Sequence, residues 1–282
     1  MSLDPERVRR IVREALEEDI GARDITTEAT VPERLRSRAV LVAKQELVLA
    51  GLEVAAAVFK ALDPEIVWRP EGKEGDRFFP GTVVGSVAGR AGALLTAERV
   101  ALNFLQRLSG VASTTRRFVD GVAGTKARIR DTRKTTPLLR FLEKHAVEVG
   151  GGVPHRPGLD GGILVKDNHV RLAGSVRAAT RRAVVAAAAL DVELEVEVEV
   201  EAIEQIEDAI GAGARMLLLD NFSPSAVRDA VEQVAARVPV EVSGGVRLEN
   251  VRDYAEAGPD YIAVGALTHS AAAVDISLEI EA

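Results

Sequence analysis

Three groups of residues have types and spacings suited to chemistry. Ser243-Gly244-Gly245 follows a strand-like run and precedes a helical stretch, and Val264-Gly265-Ala266 repeats that arrangement one unit later. Glycine lets a backbone approach an anion closely, and the N–H groups at a helix start are free to donate, so both loops suit a phosphate. Glu199, in an alternating run, and Asp220, closing an apolar one, sit at the ends of consecutive strand-like stretches. On neighbouring strands their carboxylates could bind Mg²⁺, accept hydrogen bonds from a ribose diol, or steady a cationic transition state. The third group is basic: Arg133, Lys134, His155, Arg156 and Lys166. Arginine suits bidentate carboxylate recognition and lysine acts as a compact charge on phosphates.

The glutamates at 193, 195, 197, 199 and 201 alternate with apolar residues, so as a strand they share one face. Glu197, deeper than Glu199, is expected to pair with Arg130 or Lys166. His145, His169 and His269 read as structural. No His/Asp/Glu spacing resembles a transition-metal site.

These residues need elements to hold them. From about residue 110 the chain repeats strand, polar residue, helix, with strand ends at Asp131, Lys166, Glu199, Asp220, Ser243 and Gly265. After Lys166 the steps are 33, 21, 23 and 22 residues, and about 20 residues suits one parallel strand plus its returning helix. Such units close into a barrel or form an open doubly wound sheet. Polar residues at almost every strand end favour the barrel, where all strand ends meet at one mouth; an open sheet would use only those near its switch point. Before residue 110 the order is a helix, strands near 36–50, a helix near 52–62, strands near 75–90, and a helix from about Thr96. That pattern reads as α+β with a largely antiparallel sheet.

Composition narrows the function. The 282 residues carry a net charge of −7, which disfavours nucleic acid or an anionic membrane as partner. Yet residues 126–166 hold nine Lys or Arg against four Asp or Glu, a local excess fitting a small anionic ligand. Cysteine is absent, which excludes disulfides and a thiol nucleophile. With no apolar run long enough to span a bilayer and an amphipathic charged N-terminus, a cytoplasmic protein is expected.

The stretch Arg130-Asp131-Thr132-Arg133-Lys134-Thr135-Thr136-Pro137 resembles a signature of the quinolinate phosphoribosyltransferases. The resemblance continues in family order through Gly150-Gly151-Gly152, His155-Arg156, Lys166-Asp167-Asn168-His169, the EVEVE strand, Leu219-Asp220-Asn221, Ser243-Gly244-Gly245 and Val264 to Ser270. Upstream, Asp24-Ile25-Thr26-Thr27, Glu98-Arg99, Leu102-Asn103 and Leu108-Ser109-Gly110 fit the same family. The intact Lys-Asp-Asn-His motif separates the chain from a related phosphoribosyltransferase-like family linked to molybdenum metabolism. Three positions depart from the pattern: Leu138 stands where a Gly often follows Thr-Thr-Pro, Pro154 replaces an Asn, and Asp160-Gly161 shifts an acidic residue by one.

The resemblance implies an N-terminal α/β sandwich domain over 1–109, an incomplete parallel α/β barrel over 110–270, and a segment 271–282 returning to the first domain. It implies transfer of phosphoribosyl from phosphoribosyl pyrophosphate to quinolinate with decarboxylation. In that reading Arg99, Arg133, His155, Arg156 and Lys166 hold quinolinate, and Lys134 serves the pyrophosphate-bearing substrate. Glu199 and Asp220 hold the ribose hydroxyls, Mg²⁺ rides on the pyrophosphate, and Ser243, Gly244, Gly245 and Gly265 take the 5′-phosphate. Lys134, Lys166, Glu199 and Asp220 are the catalytic candidates. A homodimer or hexamer follows, with Arg99 reaching a neighbour's site.

Overall fold

The computed structural model describes residues 3–190 and 194–281, so Glu193 lies outside the described residues. In chain order the elements are α1 (Pro5–Ile20), α2 (Ile25–Thr30), β1 (Arg36–Ala43), β2 (Leu47–Val48), α3 (Leu52–Leu62), β3 (Val67–Pro70), β4 (Arg77–Phe78), β5 (Val83–Arg90) and α4 (Ala91–Gly121). There follow β6 (Arg128–Arg130), α5 (Arg140–Val149), β7 (Ile163–Val165), α6 (Asp167–Ala173), α7 (Val176–Ala188), β8 (Val196–Val200) and α8 (Gln205–Gly211). The remainder is β9 (Met216–Asp220), α9 (Pro224–Val234), β10 (Val240–Ser243), α10 (Val251–Glu256), β11 (Tyr261–Ala263), α11 (Ala266–His269) and β12 (Ile276–Glu281). No described helix is long and apolar enough to cross a membrane.

The chain packs as two units, one of residues 1–116, 141–151 and 271–282, the other of 117–140 and 152–270. Residues 141–151, which the sequence reading placed inside a continuous 110–270 domain, group with the first unit. Arg107 of α4 explains much of this. It donates to the buried Glu143 carboxylate of α5 at 2.7 Å and to the Ala271 carbonyl at 2.6 Å.

The first unit carries the four-stranded antiparallel sheet β12-β1-β5-β3. Its first helix begins where Asp4 accepts from the Glu6 N–H and Pro5 opens the turn, then buries Val8, Val12 and Leu16 along one stripe. The Asp24-Ile25-Thr26-Thr27 motif is a cap. Asp24 accepts from the Thr27 N–H at 3.0 Å and from Thr96 Oγ1 of α4 at 2.9 Å, and these bonds, Thr27's first, hold its carboxyl below its ordinary value. The long helix starts at Ala91, five residues earlier than Thr96 suggests.

The second unit is a six-stranded, all-parallel sheet in the order β6-β11-β10-β9-β8-β7. Val153 adds a parallel bridge to Arg130 outside β6. His155, two residues on, nevertheless touches Glu197 of β8, with 2.9 Å between Nε2 and Oε2. A flat sheet would separate these strands by about 24 Å at the usual inter-strand spacing. The sheet therefore curls until its far strands face each other, which is the incomplete barrel. Val198, Leu217, Leu219, Val242 and Ile262 are fully buried along its strands.

Candidate active site

A cavity of about 540 Å³ opens at the C-terminal ends of these strands. It gathers Arg133, Lys134, His155, Arg156, Lys166, Glu199, Asp220, Ser243, Gly244 and Gly245. Gly265 and Arg99 are not among its lining residues. Gly265 stands beside it: a Cβ there would come within 3.2 Å of Lys134 Cδ and of the His269 ring. Arg99 is exposed on α4, in the first unit.

At the basic end the loop after β6 is held from within. Val153 N–H bonds the Ile129 carbonyl at 2.8 Å; Pro154 has no N–H to give, and His155 N–H turns to the buried Asp131 carboxylate at 2.6 Å. Arg156 Nη1 donates to the Gly162 carbonyl at 2.8 Å. The Nε atoms of Arg133 and Arg156 are buried without a hydrogen-bond partner, and a buried donor left unpaired costs about 1–3 kcal/mol. Burial first, and Arg133 second, lower the Arg156 pKa. Two crowded guanidinium groups with unmet donors form a receptor for carboxylates. Leu138 sits nearby with φ of 67° and is 77% exposed, a conformation that accounts for glycine in the family pattern. Asp160 is exposed and outside the cavity lining, so its shift leaves the basic end intact.

The middle of the pocket is a carboxylate wall. Leu218 pairs with Glu199 in the ladder, and Asp220, two residues on, shares its face. Lys166 Nζ lies 2.7 Å from Glu199 Oε2, and the Asp167 N–H donates to Oε1 at 3.3 Å. His169, on the first turn of α6, accepts from the Lys166 N–H at 2.9 Å, so it caps that helix. Asp220 accepts from Asn221 Nδ2 at 2.7 Å. Burial and then the Glu199 carboxylate raise the Asp220 pKa, which leaves this pair ready for a cation or a hydroxyl donor.

At the far end backbone conformation does the shaping. Gly244 and Gly245 have φ of 95° and 66°, and Asn221, at 59°, donates its N–H to the Ser243 carbonyl at 2.8 Å. A Cβ on Gly244 would stand 2.2 Å from Asn221 Oδ1, so no side chain fits there. Lys134 is held toward the cavity rim by Thr268, whose buried hydroxyl donates to the Lys134 carbonyl at 2.7 Å. Thr268 lay in a recognised motif, but nothing in its spacing showed this contact.

Glu241 is the lining residue that spacing did not reveal. Its carboxylate takes Arg130 Nη1 at 2.6 Å, while Glu197 pairs with His155 rather than with Arg130 or Lys166. His155, Glu197 and Glu241, from a loop and two strands, bring ligand atoms within 4.8 Å of one another. Arg130 already occupies the cation's place on Glu241. Burial, and then Glu197, push the Glu241 carboxyl up to about 7. For Arg130, burial acts to lower the pKa, but the Glu241 carboxylate prevails and raises it.

The chain matches known proteins along nearly its whole length. Residues 24–109 match the family model for the quinolinate phosphoribosyl transferase N-terminal domain, and residues 111–279 match that for its C-terminal domain. The nicotinate-nucleotide pyrophosphorylase [carboxylating] of Mycobacterium leprae is 45% identical over 280 residues, covering 96% of both chains. The probable enzyme of that name from Bacillus subtilis is 40% identical over 274 residues, 97% of this chain and 93% of its own. The crystal structure of NadC from Streptococcus pyogenes superposes with a TM-score of 0.94 at 38% identity, covering 100% of this chain and 99% of that one. The chain belongs to the quinolinate phosphoribosyltransferase family.

Proposed function

We infer that this chain transfers the phosphoribosyl group of phosphoribosyl pyrophosphate to quinolinate, releasing pyrophosphate and CO₂ and forming nicotinate mononucleotide for NAD biosynthesis. The observation that carries this is the order of chemistry along one cavity. Buried, unpartnered guanidinium donors lie at one end, two carboxylates in the middle, and a glycine loop without room for a Cβ at the other.

Arg133 and Arg156 take the two carboxylates of quinolinate, which fixes the pyridine nitrogen toward the ribose. The Ser243–Gly245 backbone, with Gly265 and Lys134 beside it, takes phosphate oxygens. Glu199 and Asp220 accept from the ribose hydroxyls and, as pyrophosphate departs, stabilise the positive charge left on the ribose ring. The nitrogen then bonds to the anomeric carbon, within a geometry set before reaction. The ring becomes a pyridinium. The C–C bond to the adjacent carboxylate breaks, CO₂ leaves, and the electron pair stays on the cationic ring until a solvent proton takes it. Lys166, paired with Glu199 at 2.7 Å, is within the cavity to meet an anion. The hard oxygen donors of Glu199 and Asp220 would suit Mg²⁺ bound with the pyrophosphate, where it would neutralise the leaving group's charge.

The assay that tests this mixes purified protein with Mg²⁺, quinolinate and phosphoribosyl pyrophosphate, and follows nicotinate mononucleotide and CO₂ together. One-for-one appearance, with no product when nicotinate replaces quinolinate, is expected. Folded protein that yields neither product overturns it. The reading extends to a cytoplasmic homodimer or hexamer in which Arg99 completes a neighbour's pocket. Mixing inactive Arg99→Ala and Asp220→Asn proteins should then restore activity through hybrid sites, and no recovery after subunit exchange would refute the sharing.

A further inference from the structure

Beneath the basic end lies a set of charges that the transfer reaction leaves unassigned. Arg130 of β6, Glu197 of β8 and Glu241 of β10 meet inside the barrel. The Arg130 guanidinium lies 4.4 Å from the Tyr261 ring centroid, 3.5 Å from Met216 Sδ through Nη1, and 2.6 Å from Glu241 Oε2. His155 closes the layer from above, with Nε2 at 2.9 Å from Glu197 Oε2 and 3.9 Å from Glu241 Oε1. Its other ring nitrogen, Nδ1, accepts the Arg156 N–H at 2.8 Å. A nitrogen that accepts carries no hydrogen, so the ring hydrogen is on Nε2 and is donated to Glu197.

Such a layer is an inefficient source of stability. Apolar packing of similar volume often serves equally well, and here Oε1 of each glutamate is buried without a hydrogen-bond partner. What the layer supplies is geometry. The His155 ring is pinned on both nitrogens, and the peptide that carries Arg156 is pinned to the ring.

We propose that Glu197 and Glu241 are positioning residues for the dicarboxylate end of the pocket. Glu197 fixes the tautomer and plane of the His155 ring, Glu241 anchors Arg130 in the same layer, and together they set the backbone from which Arg156 reaches substrate. This rests on the quinolinate reading of that end. A metal centre on the same three residues is the competing use, and Arg130 on Glu241 stands against it.

The test is ¹⁵N-histidine NMR of ligand-free protein combined with binding titrations. His155 is expected to show Nε2–H with an unprotonated Nδ1. Glu197→Leu removes the acceptor; it should blur that tautomer and weaken quinolinate binding about 30-fold, as loss of one charge-assisted hydrogen bond would, with phosphoribosyl pyrophosphate affinity unchanged. Glu197→Gln keeps an acceptor and should recover most of the loss. A wild-type ring protonated on Nδ1 overturns the proposal, even if Glu197→Leu does not fold. So does Glu197→Leu binding quinolinate normally, or stoichiometric Zn²⁺ shifting the His155 Nε2 signal. Because the tautomer is read without substrate, an inactive wild-type enzyme would sink the functional reading and leave this result standing.

Discussion

The two ends of the cavity are built on different physics. At the basic end, His155 and Arg156 owe their places to the Asp131 and Glu197 carboxylates and to the Gly162 carbonyl, all bonded to these residues. At the phosphate end, Gly244, Gly245 and Asn221 owe their shape to positive φ angles and the Asn221 N–H bond to the Ser243 carbonyl, with Asn250 Nδ2 bracing the Gly245 carbonyl at 3.1 Å. Charge placed by charge can be retuned by altering a partner that never touches substrate. A loop whose shape depends on the absence of a Cβ cannot be adjusted by degrees.

The largest expected effect tests whether the ends are separable. Arg156→Ala should weaken quinolinate binding about 1,000-fold, the cost of removing a part-buried charged hydrogen-bonding group, while phosphoribosyl pyrophosphate binds within about threefold of wild type by calorimetry. Equal loss of both ligands would break the comparison. Gly244→Ala should do the reverse, raising the KM for phosphoribosyl pyrophosphate about 100-fold and lowering stability in urea by about 1–3 kcal/mol through backbone strain. Normal kinetics in that variant would show that the loop can yield after all.

A smaller effect sharpens the account of the basic end. Folded Glu241, facing Glu197, Arg130 and His155, holds its proton up to about 7, well above its ordinary value of 4.5. Its stabilising contribution is complete below 4.5 and is lost as pH rises through about 7. Wild-type Tm should therefore fall between about pH 5 and pH 8, and Glu241→Gln should flatten that fall. Smallest of all, Leu138→Gly should gain about 0.5–1 kcal/mol, because the left-handed conformation at 138 costs a leucine more than a glycine. A loss of stability there would mean that the exposed Leu138 side chain contributes packing.

Much of the phosphate end and the carboxylate wall could be read from the chain, since both lie at strand ends and strand ends repeat. MLLLD and VEVS coincide with β9 and β10. Glu241 escaped because it looks like the polar member of an alternating strand, and its partner Arg130 lies 111 residues away. Periodicity assigns a face; it does not say which side chain across a closed barrel will meet it. For the same reason Glu197 meets His155 and not the Arg130 or Lys166 that the sequence leads one to expect: curling of the sheet brings His155 nearer than any spacing implies. Residues 141–151 sit between β6 and β7 in the chain, yet Arg107 ties them to the first unit, a long-range contact that no local pattern signals.

The pairing of β12 with β1 sets an order on synthesis. Arg38 to Ala43 take their partners from Ile276 to Glu281, so the unit translated first lacks an edge of its sheet until residue 281 has cleared the ribosome. By then every strand of the parallel barrel has emerged. Until that moment β1 exposes a row of unpaired N–H and C=O groups, a template for pairing with another chain. The growing polypeptide thus carries β1 as an uncovered edge in the unit it makes first, until the six paired residues of β12 cover it and become the edge themselves.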